Sequence, residues 1–422
     1  MRIKPLLFNN LRSSFANMSI FAKSGMLQAG GKHASGCDLA KFGKCPYTGK
    51  MTQREILKAL RENGPFKGLP NVRVANLVEQ PEAKQGRFDA KFDLEFGDAK
   101  VEVCVEVKST FTPKQVEQIA PWLSQMKAMK DGTAFALVCP AISPQSQRLC
   151  FERNVDFIDL AGNVFINVPG KLLLQRVGME PQKETSPSFY RNPFSGKSSR
   201  ILRVLLQKPR AWTLTEITEE LAKETTRTEC AGVSFGVSFS LASRVLRSLE
   251  EELLVMRRNS SILVPEPRRL LSRWAQEYKD RYRGYLRRSF KIPNPFGHNL
   301  ESVRQDLDSQ LGRQCYAFTG AAAASRIAPF VDVDSFDFYT SDEAGVKRLR
   351  EYVSTRPPVG PDLRAVYPFD AGVFLYLLPT GDGTPVVSSI QTYLDLFARG
   401  GRDLTQAEYL FEKQIAPEWV RK

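Results

Sequence analysis

The chain has no apolar run long enough to span a bilayer. Its 422 residues contain charged or polar positions at short intervals throughout, whereas a spanning helix needs about 20 consecutive apolar residues. This absence excludes the class of integral helical membrane proteins. We therefore expect a soluble, cytoplasmic protein with no membrane partner.

Histidine and cysteine are too sparse to suggest a metal module. There are 2 histidines and 7 scattered cysteines. His33, Cys37 and Cys45 lie close together, but a fourth ligand is missing and the spacing matches no familiar zinc module. Three other cysteines lie inside apolar stretches and are expected to be small core residues in a reducing compartment. These are Cys104, Cys139 and Cys150.

Acidic residues are outnumbered by basic ones. Lys and Arg total 60 against 46 Asp and Glu, so the net charge is +14 and the sequence pI is near 9.4. Such a balance favours polyanionic partners such as nucleic acid. With 42% hydrophobic and 25% charged residues the composition is globular. The length predicts two or three domains.

Residues 1–50 are poor in acid, with only Asp38 among several Lys and Arg, and are rich in Ser, Gly and Ala. This composition fits a transit peptide, an unstructured basic tail, or an upstream extension of a gene whose protein begins at Met51. We favour the third interpretation and expect a disordered basic extension over 1–50. Directly after it, TQREILKALRENG predicts a helix that stops at Gly64, with Glu55 on its solvated face.

The segments 92–96 (FDLEF) and 101–107 (VEVCVEV) alternate as strands do, and Gly97-Asp98 between them predicts a hairpin turn. We expect this hairpin to bring Asp93 beside Glu106, so that Asp93, Glu106 and Lys108 converge. Two carboxylates can hold Mg²⁺ through oxygen, and an ammonium can stabilise charge developing on a phosphate. A strand that simply presents these charges to solvent has the same pattern.

The order of strand, acid, hairpin and Glu-Val-Lys resembles the core of PD-(D/E)XK nuclease-fold domains. It continues with a predicted helix at 110–126, a strand at 133–143 and a closing unit at 151–166. The resemblance implies a restriction-endonuclease-like αβ domain over 51–179. It also implies that Asp93, Glu106 and Lys108 are catalytic and that Asp93 and Glu106 bind Mg²⁺, if the centre is active. Otherwise no cofactor is expected.

A linker at 180–197, dense in Pro, Ser and charge, precedes three predicted helices at 198–207, 214–224 and 239–255. The stripe of the third helix runs to Leu253, and a short basic hairpin at 256–267 follows. This order describes a winged helix-turn-helix over 198–267, whose third helix enters the major groove of DNA. The predicted DNA-binding residues are Ser240, Ser243, Arg244, Arg247, Arg257 and Arg258.

Two features weigh against that interpretation. An ordinary amphipathic helix would carry solvated arginines in the same pattern. The stretch 225–236 also makes the turn before the third helix unusually long.

A long basic helix is predicted at 268–291 within a connecting segment that ends at 294. Its stripe of Leu270, Leu271, Trp274 and Tyr278 is expected to pack against a core rather than to stack on bases.

The remaining residues, 295–422, predict an αβ domain. A strand, a Gly-Ala helix and an acidic strand with Asp332, Asp334 and Asp337 are typical of a nucleotidyltransferase-like unit, in which paired aspartates hold magnesium. The Gly-Ser expected ahead of an Asp-x-Asp strand is absent. We therefore expect a nucleotidyltransferase-like domain without catalytic activity.

Taken in order, the segments over about 90–400 resemble the AbiEi-like antitoxin family of type IV toxin–antitoxin systems. The matching stretches are VEVKSTFTPKQVEQI, FIDLAGNVFI, SLASRVLRSLEEELLV, VPEPRRLLSRWAQEY, AFTGAAAASRIAPFV and VVSSIQTYLDLF. The resemblance implies a bacterial regulator that binds double-stranded DNA and represses its own operon, with a nucleotidyltransferase toxin encoded alongside. A homodimer is a further candidate assembly. The founding arrangement of the family begins with the winged helix, whereas here a nuclease-like domain precedes it.

Two functions of different class are thus predicted. The first is a sequence-specific transcriptional regulator in which the nuclease-like fold is structural or binds a partner. The second is a magnesium-dependent nuclease guided by the winged helix. We favour the first, because no further acid is placed for a second metal and the winged helix already supplies DNA binding. Weak or absent cleavage is expected.

Overall fold

The chain has a mixed α/β fold with several sheets. The computed structural model describes residues 19–22, 51–79, 88–97, 99–179, 192–227, 234–378 and 380–420. It divides into two compact units, Met1–Pro187 and Ser188–Lys422. Over the ranges described, no helix has both the length and the apolarity needed to cross a membrane.

The first unit is built on an eight-stranded sheet with the order β1-β8-β7-β6-β5-β4-β3-β2. Its strands are β1 (Ser19–Ala22), β2 (Val72–Glu79), β3 (Ala90–Phe96), β4 (Ala99–Val107), β5 (Thr133–Cys139), β6 (Asp156–Asp159), β7 (Val164–Val168) and β8 (Leu172–Arg176). Its helices are α1 (Gln53–Arg61), α2 (Pro113–Met129) and α3 (Pro144–Glu152). The β4–β5 and β5–β6 pairs are parallel, and the other neighbours are antiparallel.

Helices cover both faces of this sheet, which explains its sequence pattern. The central strand β5 is buried at every position, and its sequence TAFALVC is accordingly apolar almost throughout. On β4, Val103 and Val105 pack in the core that contains the apolar side of α1. Cys104, between them, packs with α2 on the opposite face. Burial of Cys104, Cys139 and Cys150 confirms their prediction as core residues.

Most of the N-terminal extension lies outside the described residues. Only residues 19–22 of the first fifty are described, and they form β1, which pairs with β8 at the edge of the sheet. His33, Cys37 and Cys45 are not among the described positions. The helix predicted after Met51 is α1. Its N-terminus has a capping box, in which the Glu55 carboxylate accepts a hydrogen bond from the Thr52 amide.

The second unit begins with three helices and a hairpin and continues into a smaller sheet. Its helices are α4 (Ser199–Gln207), α5 (Leu214–Arg227), α6 (Phe239–Glu251), α7 (Pro267–Leu286), α8 (Leu300–Leu311), α9 (Gly320–Ile327), α10 (Glu343–Val353), α11 (Ser389–Arg399), α12 (Arg402–Leu410) and α13 (Ala416–Val420). Its strands are β9 (Met256–Arg258), β10 (Ser261–Leu263), β11 (Ser289–Asn294), β12 (Tyr316–Phe318), β13 (Phe336–Thr340) and β14 (Gly360–Val366). The last four form a sheet of order β11-β14-β13-β12.

Among the described residues the second unit has two hydrophobic cores: one lies between the sheet and the helices α8 and α10, and a larger one runs from Phe194 to Ile415. The predicted stripe of α7 is buried in it, as expected for packing: Leu270, Leu271, Trp274 and Tyr278 are each at most 5% exposed.

A buried polar network lies within this core. The Asp395 carboxylate on α11 accepts hydrogen bonds from the hydroxyls of Tyr278, at 2.5 Å, and Tyr339, at 2.9 Å. Gln391 donates to it as well and accepts from Arg203 of α4 at 2.7 Å. The network therefore ties α4 to α7, α11 and β13.

Two helices are shorter than their sequence patterns predict. The apolar stripe of α6 continues to Leu253, but the helix ends at Glu251 because Leu253 has φ +56° and reverses the chain. The helix predicted at 268–291 ends at Leu286, and the chain then enters the edge strand β11. Residues 180–191 of the predicted linker and positions 228–233 lie outside the described residues. The end of that linker is wrong, because Phe194 is buried in the core of the second unit.

Candidate functional site

The exposed face of α6 carries the polar residues that the sequence predicts as DNA contacts. Ser240, Arg244 and Arg247 are exposed, and Ser243 is half-buried. The opposite face is buried in the core through Leu241, Ala242, Val245, Leu246 and Leu249. Ser238 caps the helix start by accepting from the Leu241 amide at 3.3 Å. The helix is thus fixed on one side and presents two guanidinium groups on the other.

A short hairpin follows α6 and is joined to the segment between α4 and α5. Strands β9 and β10 pair antiparallel, with Arg257 opposite Ile262 and Asn259 at φ +54° in the turn. Trp212 donates its amide to the Ile262 carbonyl at 2.9 Å and accepts from the Ile262 amide at 2.7 Å. These two bonds add a third extended segment to the hairpin and hold it against the helices.

The two hairpin arginines have different surroundings. The Arg257 guanidinium lies 3.5 Å from the Glu250 carboxylate of α6 and 3.5 Å from the Ser243 carbonyl. Arg258 is exposed and forms no ion pair with any described residue. The sequence predicts the same DNA-binding role for both arginines. Of the two, Arg257 is paired with a carboxylate and Arg258 presents an unneutralised charge.

The β3–β4 hairpin has the predicted strands and turn. Its register, however, does not place Asp93 beside Glu106. Phe96 is opposite Ala99, Asp93 is opposite Glu102, and Ala90 is opposite Val105. Asp93 is therefore four residues along the strand from the position opposite Glu106, which corresponds to about 13 Å. The prediction that Asp93 converges with Glu106 and Lys108 is wrong, because the two-residue turn fixes a different pairing.

Asp93 is instead held by a local charge cluster. It accepts from Asn76 at 2.7 Å and forms an ion pair with Lys100 at 2.8 Å. The hydrogen bond from Lys100, with that from Asn76, keeps the pKa of the Asp93 carboxyl below its ordinary value. This arrangement stabilises the hairpin end that is remote from Glu106.

The acid that the register brings to Glu106 is Asp89, immediately before β3. The Asp89 amide donates to the Val105 carbonyl at 2.9 Å, and the Asp89 carboxylate accepts from the Val107 amide at 2.6 Å. Glu106 forms an ion pair with Lys108 at 2.5 Å. The Glu106 and Lys108 side chains are 20% and 39% exposed, so solvent reaches the cluster. Asp89, Glu106 and Lys108 thus lie at the same end of β4.

This cluster offers few ligands for a metal ion. Among the residues that the structure describes, no group of three or more His, Cys, Asp or Glu side chains is placed to hold a metal. Two carboxylates and a lysine fit a magnesium site that draws its other ligands from water and a phosphate. Asp89 fits only in part, because one of its oxygens is already bonded to the Val107 amide.

The acidic strand of the C-terminal sheet is engaged in ion pairs. Asp337 on β13 is buried and lies 3.0 Å from Arg399 and 3.4 Å from Arg364. Asp334 contacts the same Arg399 at 3.2 Å. Each carboxylate is therefore paired with at least one arginine, and the Asp334 side chain is still 70% exposed.

Comparison with known proteins gives limited similarity. No protein-family model matches the chain, and no curated protein matches it. An apo structure of EndoMS is 17% identical over 26% of this chain and 47% of that chain, with a TM-score of 0.20. A repair endonuclease from Pyrococcus abyssi is 14% identical over 27% and 49%, with a TM-score of 0.20.

A structure of EndoMS in complex with double-stranded DNA is 17% identical over 29% of this chain and 48% of that chain, with a TM-score of 0.21. This chain therefore spans about half the length of each of these three solved structures.

Proposed function

We propose that this protein is a sequence-specific DNA-binding regulator that uses a winged helix built from α4, α5, α6 and the β9–β10 hairpin. In this assignment α6 enters the major groove and the hairpin lies along the phosphate backbone. Arg244 and Arg247 read guanine edges, Ser240 and Ser243 contact bases or phosphates, and Arg258 neutralises a phosphate.

The observation that carries this proposal is the division of α6 into two faces. Its apolar face is closed by the core, whereas Ser240, Arg244 and Arg247 stand exposed on the other. The Arg244 side chain bonds to the Ser240 carbonyl one turn back, at 3.1 Å, which leaves its terminal nitrogens for other partners. The Trp212–Ile262 bridge supports the assignment, because it joins the hairpin to the helices as a wing requires.

A selection experiment followed by mutagenesis tests the proposal. Binding-site selection from random duplexes supplies the target, and gel shifts then compare the double variant Arg244→Ala/Arg247→Ala with the wild type. Each arginine is expected to contribute about 1–3 kcal/mol to specific binding. The control is Arg54→Ala/Lys67→Ala, which removes the same charge from exposed positions of the first unit. Unchanged affinity in the α6 variant would remove the basis for assigning α6 as the recognition helix.

The biological role follows from the resemblance to AbiEi-like antitoxins. We infer that the protein represses its own operon and counters a nucleotidyltransferase toxin encoded beside it, and that it binds an operator as a homodimer. Supporting this are the six ordered sequence stretches between about 90 and 400. A reporter fused to the upstream region, with and without Arg244→Ala/Arg247→Ala, tests repression. Co-expression with the neighbouring gene tests the antitoxin role.

A second function, magnesium-dependent DNA cleavage, is favoured by one observation. Asp89, Glu106 and Lys108 lie at the same end of β4 with solvent access. In this alternative Asp89 and Glu106 would hold Mg²⁺, and Lys108 would stabilise charge on the scissile phosphate. Asp93 has no part in it.

Cleavage assays separate the two functions. The regulator hypothesis expects little or no cleavage of duplex DNA with magnesium and no difference with EDTA. Magnesium-dependent cleavage that is lost in Lys108→Ala and Asp89→Ala, but kept in Asp93→Ala, would establish the nuclease instead. DNA binding by Lys108→Ala must be retained for that conclusion.

A further inference from the structure

A groove lined by basic and aromatic residues lies in the second unit, between the end of α7 and the start of the edge strand β11. Its volume is about 470 Å³, within the range of sites that hold small ligands. One wall comes from the start of β11 and the two residues before it, and the other from α10. The side chains that matter here are Arg287, Arg288, Phe290, Lys347, Arg350 and Tyr367.

The groove carries a large uncompensated positive charge. Arg287, Arg288, Lys347 and Arg350 are all exposed, and Glu343 is the one acid among the residues lining it. Most arginines elsewhere on this unit have a carboxylate partner, as Arg348 does with Asp342 on the same helix α10. By contrast, none of the four groove cations forms an ion pair with a described residue. Four unneutralised cations around one groove favour an anionic ligand.

Aromatic rings stand beside these charges. Phe290 is 41% exposed, although it lies on a strand, and its ring centroid is 5.5 Å from that of Tyr367. The Arg350 guanidinium lies 5.8 Å from the Phe290 ring. At the same end of β11, Arg288 lies 4.8 Å from the ring of Phe369, which is 53% exposed. Exposed rings next to cations form a surface on which a base can stack while its phosphate is neutralised.

We propose that this groove binds a nucleotide unit, with its phosphates on the four cations and its base stacked on Phe290. The unit can come from a free nucleoside polyphosphate or from a single strand, since both present a phosphate and an unpaired base. A duplex is disfavoured, because its bases are already stacked on one another. The groove is separate from the α6 surface: α7 has 20 residues, so its ends are about 30 Å apart at a rise of about 1.5 Å per residue.

The experiment uses the full chain carrying Arg244→Ala/Arg247→Ala/Arg258→Ala, so that the arginines proposed to contact DNA on α6 and the wing do not contribute. Fluorescence anisotropy follows a fluorescein-labelled oligo(dT) of about 12 nucleotides, a length within the range that single-strand sites cover. Unlabelled ATP, a duplex of equal length and inorganic polyphosphate serve as competitors.

Three variants are compared in that background. Lys347→Ala/Arg350→Ala removes two groove cations, and Phe290→Leu keeps the apolar contact but removes the aromatic face. The control, Arg348→Ala/Arg402→Ala, removes equal charge from exposed positions outside the groove. Thermal unfolding checks that each variant folds.

We expect Lys347→Ala/Arg350→Ala to weaken oligo(dT) binding about 10-fold or more, given the loss of two phosphate contacts. Phe290→Leu should weaken it about 5-fold or more, as the loss of one stacked base implies, and should leave polyphosphate binding unchanged. Competition by ATP identifies a free nucleotide as a ligand. Oligo(dT) binding that ATP does not displace identifies a strand, and either result supports the groove.

Three results would overturn the proposal. The first is oligo(dT) and ATP binding that neither groove variant weakens. The second is a loss on removing the cations with none in Phe290→Leu, which would mean a general polyanion surface. The third is a duplex that competes as well as the single strand. None of these outcomes depends on whether α6 recognises an operator.

Discussion

The wing arginines provide a sharp test of the DNA-binding proposal, because the structure separates two neighbours that the sequence treats alike. Arg257 is drawn onto α6, with its guanidinium 3.5 Å from the Glu250 carboxylate, so much of its charge is already compensated. Arg258 is exposed and has no ion-pair partner among the described residues. We therefore expect Arg258→Ala, but not Arg257→Ala, to remove a full phosphate contact.

The size of the effect follows from counterion release. One phosphate contact contributes about 0.9 to the slope of log Kobs against log salt, so a four-fold rise from about 50 to about 200 mM weakens that contact about 3.5-fold. Wild-type affinity should accordingly fall about 3.5-fold further over this range than that of Arg258→Ala. Arg257→Ala should change the slope by well under half as much, because the Arg257 guanidinium is already paired with the Glu250 carboxylate and does not make a full phosphate contact.

Anisotropy titrations of the selected duplex at four salt concentrations measure these slopes, with an unrelated duplex of equal length in parallel. Both duplexes should respond alike, since a phosphate contact carries no sequence information. A slope change in Arg257→Ala equal to or larger than that in Arg258→Ala would refute the inference that the Glu250 ion pair keeps Arg257 from a phosphate. No slope change in either variant would refute the placement of the wing on the backbone.

Three further predictions concern the scaffold and the second site. Trp212→Ala should destabilise the second unit by about 3–5 kcal/mol, since the side chain is 1% exposed and its indole donates to Lys208 at 2.9 Å; urea unfolding measures this, and a loss below about 1 kcal/mol would contradict it. Glu216 has its pKa lowered to about 2, first by the hydrogen bond from Arg210 and then by the Thr213 amide. Its stabilising contribution is therefore present above its ordinary pKa of about 4.3 and lost as the pH falls toward 2, so thermal scans between pH 5 and 2 should show a shallower decline for Glu216→Gln. Finally, Mg²⁺ titrations followed by NMR should perturb the Asp89 and Glu106 amides together or leave both unchanged; a response at Asp93 without them would argue against the observed register.

The difference between Asp89 and Asp93 shows what sequence reasoning can and cannot supply here. The two strands follow from the alternation of apolar and polar residues, and the turn between them follows from the sequence Gly97-Asp98. The same turn also fixes the register: counting outward from Phe96 and Ala99 reaches Asp93 with Glu102 and ends at Ala90 with Val105, so that Asp89 and Glu106 are the next residue on each strand. The signal for Asp89 was therefore present in the hairpin count, whereas the expected convergence relied on residue type and separation alone.

Other features depend on contacts that no local pattern contains. The apolar period of α6 predicts its buried face correctly but overruns its end, because the backbone reverses at Leu253, where a leucine gives no turn signal. The groove beside β11 joins Arg288 to Arg350 across more than sixty residues. Such a juxtaposition arises only when α10 packs beside β11, and the sequence around each residue gives no indication of it.

The larger hydrophobic core of the second unit limits how this protein can be divided. Trp274 and Tyr278 of α7 face the same interior as α4 and α11, and the buried Asp395–Gln391–Arg203 network crosses between them. A fragment that ends after the wing would lack these aromatic side chains, expose the apolar residues of α4 that pack with them, and leave the Arg203 guanidinium without its amide partner. The segment that we propose to bind DNA is therefore not an exchangeable module. It can be inherited, truncated or grafted only together with the C-terminal sheet, so insertions and domain fusions are best tolerated at the ends of this unit rather than within it.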